Sequence, residues 1–66
     1  MITVELENGS KFKSYRKDVG SPWEFITCGE YGIAKEVAEK VKKQGKHCEV
    51  DFWNGWFVRV RVEQEI

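Results

Sequence analysis

Residues 47–63 read HCEVDFWNGWFVRVRVE, and their alternation decides the architecture. Strand side chains point to opposite faces with period two. Cys48, Val50 and Phe52 therefore share one face of a first strand, and Trp56, Val58, Val60 and Val62 share one face of a second. His47, Glu49 and Asp51, with Phe57, Arg59 and Arg61, take the opposite face. One side of this hairpin is a core face and the other carries the charges.

Asn54-Gly55 alone suggests a two-residue type I′ turn. That register sets Val58 against Asp51 and Val60 against Glu49, which mixes the faces. A three-residue loop, Trp53-Asn54-Gly55, restores them: Val50 faces Val58, Cys48 faces Val60 and Glu49 faces Arg59. Gly55 is then expected in the left-handed position of a type I turn with a bulge, where a missing Cβ avoids strain. The Glu49–Arg59 cross-strand pair is worth roughly 0.2–1 kcal/mol. Trp53 is left near the loop tip, away from deep burial.

Working outward, Ile2, Val4 and Leu6 alternate with Thr3, Glu5 and Glu7, the pattern of a half-buried strand. Asn8-Gly9 turns the chain into a second strand, about Lys11 to Lys17. Lys11, Lys13, Tyr15 and Lys17 lie on one face of it, with Phe12 and Ser14 on the other. A loop ending at Gly9 sets Val4 against Phe12 and Glu5 against Lys11. Asp18 to Pro22 is a connection. Trp23 to Cys28 is a third strand, with Ile26 and Cys28 on one face and Trp23, Phe25 and Thr27 on the other.

A helix follows over about Glu30 to Gln44. Ile33, Ala34, Val37, Ala38 and Val41 form one apolar stripe of 3.6-residue period. Lysines crowd its last turn, where the helix dipole favours cations. Gly45 is placed to terminate it. The expected fold is α+β: a single, mostly antiparallel five-stranded sheet in the order β-β-β-α-β-β, with one helix packed on one face. Residues 1–66 are expected to form one domain.

Composition narrows function. Eleven basic and eleven acidic residues cancel, so there is no bulk charge for a polyanion. No apolar run approaches the ~20 residues of a membrane span, and no signal peptide precedes the first strand. The expected compartment is the cytoplasm, with no membrane partner. Cys28, His47 and Cys48 are too few, at no recognised spacing, for a metal site. The cysteines read as buried free thiols, with a disulfide as the alternative. No serine or cysteine pairs with the one histidine through a visible orienting carboxylate, and Gly29 and Gly32 are too sparse for a phosphate loop. Neither enzyme activity nor a cofactor is expected.

The aromatic inventory is the most informative feature. One helix covers one side of the sheet, and Phe12, Phe52 and Trp56 belong on that side. Tyr15, Trp53 and Phe57, with Trp23 and Phe25, belong on the open side, beside Lys11, Lys13, Arg59 and Arg61. Aromatics with arginine are what protein interfaces enrich. The candidate binding residues are therefore Trp53, Phe57, Arg59, Arg61 and Tyr15. The expected function is a small non-enzymatic binding protein, an accessory or inhibitor protein of the kind phages and mobile elements encode. It would dock an aromatic/Arg sheet face or an edge strand on a protein partner. The alternative is a single-stranded nucleic-acid platform, with Tyr15, Trp53 or Phe57 stacking on bases. Glu5, Glu49 and Asp51 on the same face weigh against it. A homodimer through the open face is a further way to bury these rings.

Residues 24–62 also resemble part of a SPOR domain. The similar features are a strand ending in Cys28-Gly29, then Tyr31, and a helix with Ala34, Ala38 and Val41. Gly45 closes that helix, a strand containing Val50 follows, and Phe57-Val58-Arg59-Val60 is similar to the family's closing strand. The family's second helix has no counterpart, and an N-terminal hairpin stands in its place. The resemblance implies a sheet-and-helix module that binds peptidoglycan glycan strands.

Overall fold

The computed structural model describes residues 2–16 and 20–62. The strands are β1 (Thr3–Glu5), β2 (Lys11–Lys13), β3 (Trp23–Gly29), β4 (Cys48–Phe52) and β5 (Trp56–Arg61). The helix α1 spans Tyr31–Lys43, between β3 and β4. All strand pairings are antiparallel.

Both hairpin registers follow from loop length. In the first, Val4 pairs with Phe12 and Glu5 with Lys11. Leu6 N–H donates to Ser10 C=O (2.8 Å) and Gly9 N–H to Leu6 C=O (3.0 Å). Gly9 sits at φ 90°, where a Cβ would be strained. In the second, Cys48 pairs with Val60, Glu49 with Arg59 and Val50 with Val58. Its turn differs from expectation. Asn54 takes the left-handed position at φ 55°, and Gly55 sits at φ 124°. Asparagine tolerates the first conformation, and only glycine accepts the second cheaply.

The five strands form two sheets rather than one: β1-β2, and a three-stranded sheet in the order β3-β5-β4. Among the described residues, a bridge between Tyr15 and Phe25 links them. Strand β2 was expected to run to Lys17, but its ladder ends at Lys13, and residue 17 lies outside the described residues. Strand β1 packs against α1 and buries Ile2, Val4 and Leu6. Residues 18 and 19 of the expected connection also lie outside the described residues. At its end, Pro22 C=O accepts the Val62 N–H at 2.7 Å.

Helix α1 buries Ala34, Val37, Ala38 and Val41 against the sheet. They meet Ile26, Val58 and Val60, which have no exposed surface. Each such side chain contributes roughly 1.5–3 kcal/mol through burial. The helix ends at Gln44, with Gly45 at φ 83° donating its N–H to Lys42 C=O (2.9 Å). Lys40, Lys42 and Lys43 occupy the last turn. Cys28 and Cys48 are free thiols. Among the described residues no helix is long and apolar enough to cross a membrane.

Two side chains depart from the simple two-face reading. Phe52, expected in the core, is 58% exposed. The buried stripe of α1 begins only at Ala34, so the end of β4 lies past its cover. Phe52 instead meets Trp56 edge-on, with centroids 5.2 Å apart, and Trp56 meets Tyr31 at 4.8 Å. Glu24 is the converse case, a carboxylate on the core side of β3 with 4% exposure. It accepts a hydrogen bond from the Ser14 hydroxyl and one from Arg16 Nη2 at 3.2 Å. Ser14 Oγ in turn accepts the Ile2 N–H at 2.7 Å. This chain of bonds fastens β1 and the extension of β2 to β3.

Candidate functional site

Alternation along β3, β5 and the extension of β2 builds the helix-free face. Phe25 is diagonal to Phe57, and their rings lie 5.8 Å apart at 57°. Tyr15 adds a third ring, 5.9 Å from Phe25 at 38°. These three form the wall and floor of a groove of about 310 Å³. Trp53 and Trp56 close it at the hairpin end, and Thr27 and Gly29 of β3 line its side. Register slips between Thr27 and Gly29, where a bulge places Gly29 opposite Trp56. A Cβ on Gly55 would stand 3.9 Å from the Gly29 Cα, an ordinary contact, so it is the backbone at φ 124° and not space that favours glycine there.

Three of the expected binding residues meet in this groove: Tyr15, Trp53 and Phe57. Trp53 is 72% exposed and Tyr15 47%, while Phe57 is half-buried. Arg59 and Arg61 are placed elsewhere. Both lie over the Trp23 ring, at 5.0 and 6.0 Å from its centroid. Arg59 also donates to Glu49 and stands 3.9 Å from Asp51. Its Nε is buried without a hydrogen-bond partner. Arg59 is thus held in an ion cluster with both carboxylates of β4.

Sequence reasoning missed three parts of this surface. Phe25 and Trp56 line the groove, yet Phe25 was left out of the candidates and Trp56 was assigned to the core. The alternation that put Phe25 beside Tyr15 and Phe57 already contained its signal. The third is the Tyr31–Trp56–Phe52 cluster, which depends on where the helix begins and has no local signal in the strands.

Neither thiol is set up as a nucleophile. Burial raises the Cys28 thiol to about 11, and burial likewise raises that of Cys48. Their S–H groups donate to Ile26 C=O and Ala38 C=O, each at 3.4 Å. The buried Glu24 carboxyl lies below its ordinary value of 4.5, chiefly through the Ser14 hydrogen bond, which outweighs desolvation. The side chain of His47 is exposed, its ring 4.0 Å from Glu49, while its backbone C=O accepts the Arg61 N–H at 2.9 Å. Among the described residues no group of three or more His, Cys, Asp or Glu side chains is placed to hold a metal ion.

Comparison with known proteins gives no match to a protein-family model, to a curated protein or to a solved structure. The residues that resemble the SPOR pattern lie in β3, α1, β4 and β5, with Gly45 in the turn after α1.

Proposed function

We propose that this chain is a small, non-enzymatic binding protein that docks its helix-free sheet face on a partner protein, as a cytoplasmic accessory or inhibitor. The observation that supports it most is the aromatic groove, whose rim ring Trp53 is 72% exposed. Exposed aromatics around a concave apolar floor are typical of binding anchors and their pockets. The face is favoured over the β4 edge by a detail of Asp51. Its Oδ1 accepts the Phe52 N–H at 2.8 Å, which occupies a donor that an added strand needs.

A nucleic-acid platform has one supporting feature, the mixture of rings and cations on a single face. Of the rings that could stack on bases, Phe57 is half-buried and tilts against Phe25, while Trp53 and Tyr15 are exposed; the acidic Glu49 and Asp51 share the face and both engage Arg59. The protein-partner reading is therefore preferred. Its test is capture from bacterial lysate by wild type and by a Trp53→Ala/Phe57→Ala variant, with and without nuclease, identified by mass spectrometry. A protein held by wild type only, and retained after nuclease, is the expected result. Recovery that collapses with nuclease contradicts it.

A further inference from the structure

The groove wall and the polar bonds of Glu24 are made by the same two segments. Tyr15 pairs with Phe25 in an isolated antiparallel bridge, which sets Arg16 across from Glu24. Alternation then divides both segments between the two faces of the sheet. Tyr15 and Phe25 bring their rings together on the open face. Ser14 and Glu24 are buried on the other, where the Ser14 hydroxyl and Arg16 Nη2 both donate to the Glu24 carboxylate.

The surroundings of these segments are held differently. Strands β3 and β5 pair along their length, and Ile2, Val4 and Leu6 seat β1 in the core. Ser14 is tied to β1, because its N–H donates to Ile2 C=O and its Oγ accepts the Ile2 N–H. Tyr15 and Arg16 lie past the end of β2. They are joined to β3 by the bridge, the ring pair and the bond to Glu24. A segment at the end of a ladder opens at lower free energy than the sheet it borders, and hydrogen bonds to a charged group are the stronger ones holding it.

We infer that Glu24 is a positioning residue for the groove. Through Ser14 and Arg16 it latches the Tyr15 wall against Phe25, and Tyr15 with Arg16 opens from β3 as a unit while the rest of the fold stays closed. The groove is complete only when the latch is shut. This goes beyond the docking reading and does not depend on what occupies the groove. It bears on affinity, because an occupant that leans on Tyr15 binds the closed form, and its apparent affinity falls with the fraction of molecules that are closed. Glu24 thus acts on the groove from the opposite face of the sheet.

Native-state hydrogen exchange, read by NMR on the ligand-free protein, is the test. The Tyr15 and Phe25 amides bond across the bridge and report its opening. The Val58 amide, on the central strand β5, reports unfolding of the sheet. In wild type, Tyr15 and Phe25 should exchange faster than Val58 and with a weaker dependence on urea. Glu24→Ala should speed their exchange about tenfold and Glu24→Gln by less. Nuclear Overhauser effects between the Tyr15 and Phe25 rings should weaken in these variants, while those between Phe25 and Phe57 persist. Val37→Ala, a core substitution in α1, should speed Val58 and leave Tyr15 and Phe25 unchanged. Bridge amides that exchange together with Val58 in every variant overturn the inference, because Glu24 then only stabilises the whole fold. Bridge exchange and ring contacts that ignore both Glu24 substitutions overturn it as well. Should Glu24→Ala fail to fold, Glu24→Gln carries the same test with a smaller expected change. The docking reading survives either failure, since partner capture tests it separately.

Discussion

Tyr15 and Phe25 exchange both backbone hydrogen bonds, at 2.9 and 2.8 Å, and set their rings 5.9 Å apart. The pair joins the two sheets and forms one wall of the groove. Fold and candidate site therefore share this contact, but through different atoms. The backbone holds the sheets together, and the rings make the surface.

Substitutions at Tyr15 separate the two roles. Tyr15→Ala keeps the backbone bridge and loses the ring pair, for an expected cost of roughly 0.5–1.5 kcal/mol, together with weakened partner binding. Tyr15→Pro removes the N–H donor to Phe25 and should cost clearly more. Urea denaturation of both variants checks this, and equal losses would mean the bridge contributes nothing.

Glu24 gives a pH prediction. Its folded value lies below 4.5, so the stability it contributes is complete above that value and is lost as pH falls through the lower folded value. Wild type should therefore lose stability on acidification below about 4.5 more steeply than Glu24→Gln. Glu24→Ala leaves the Ser14 hydroxyl and Arg16 without their acceptor and should cost roughly 1–3 kcal/mol at neutral pH. Thermal melts across the acid range measure both effects. A Glu24→Gln profile parallel to wild type would remove Glu24 from the account.

The thiols should be slow to react. With Cys28 raised to about 11 and Cys48 raised by burial, little thiolate is present at mildly alkaline pH. A thiol-disulfide reagent at that pH should modify the native protein far more slowly than the unfolded chain. Rapid native modification of either cysteine would contradict the packing described around it.

Core and surface should respond oppositely. Val60 has no exposed surface, so Val60→Ala should cost roughly 1–3 kcal/mol through lost burial and a cavity. Paired denaturation curves with Trp53→Ala check the assignment of faces, because Trp53→Ala should change stability little. A neutral Val60→Ala would invert that assignment.

Much of this fold was legible because alternation and loop length are local. The Cys48/Val60 and Val4/Phe12 registers came directly from three-residue loops, and the helix from its apolar stripe. The division into two sheets was not legible, because where the ladder between β2 and β3 stops is settled by tertiary contacts and has no local signal. The fate of Phe52 depended on where the helix cover begins. Glu24 looked like any strand carboxylate until Ser14 and Arg16 were brought to it from ten and eight residues away. At the site, Tyr15, Trp53 and Phe57 could be chosen by face. The positions of Arg59 and Arg61 over Trp23 could not, because side-chain stacking is settled by tertiary contacts.

The most direct measurement pairs a thermal melt with partner capture for wild type and Trp53→Ala. A melting temperature near that of wild type, with the captured protein lost, is the predicted result. A drop of about ten degrees or more, well above ~1 kcal/mol for a small domain, would show that Trp53 belongs to the core. Unchanged capture would show that the groove is not the binding surface.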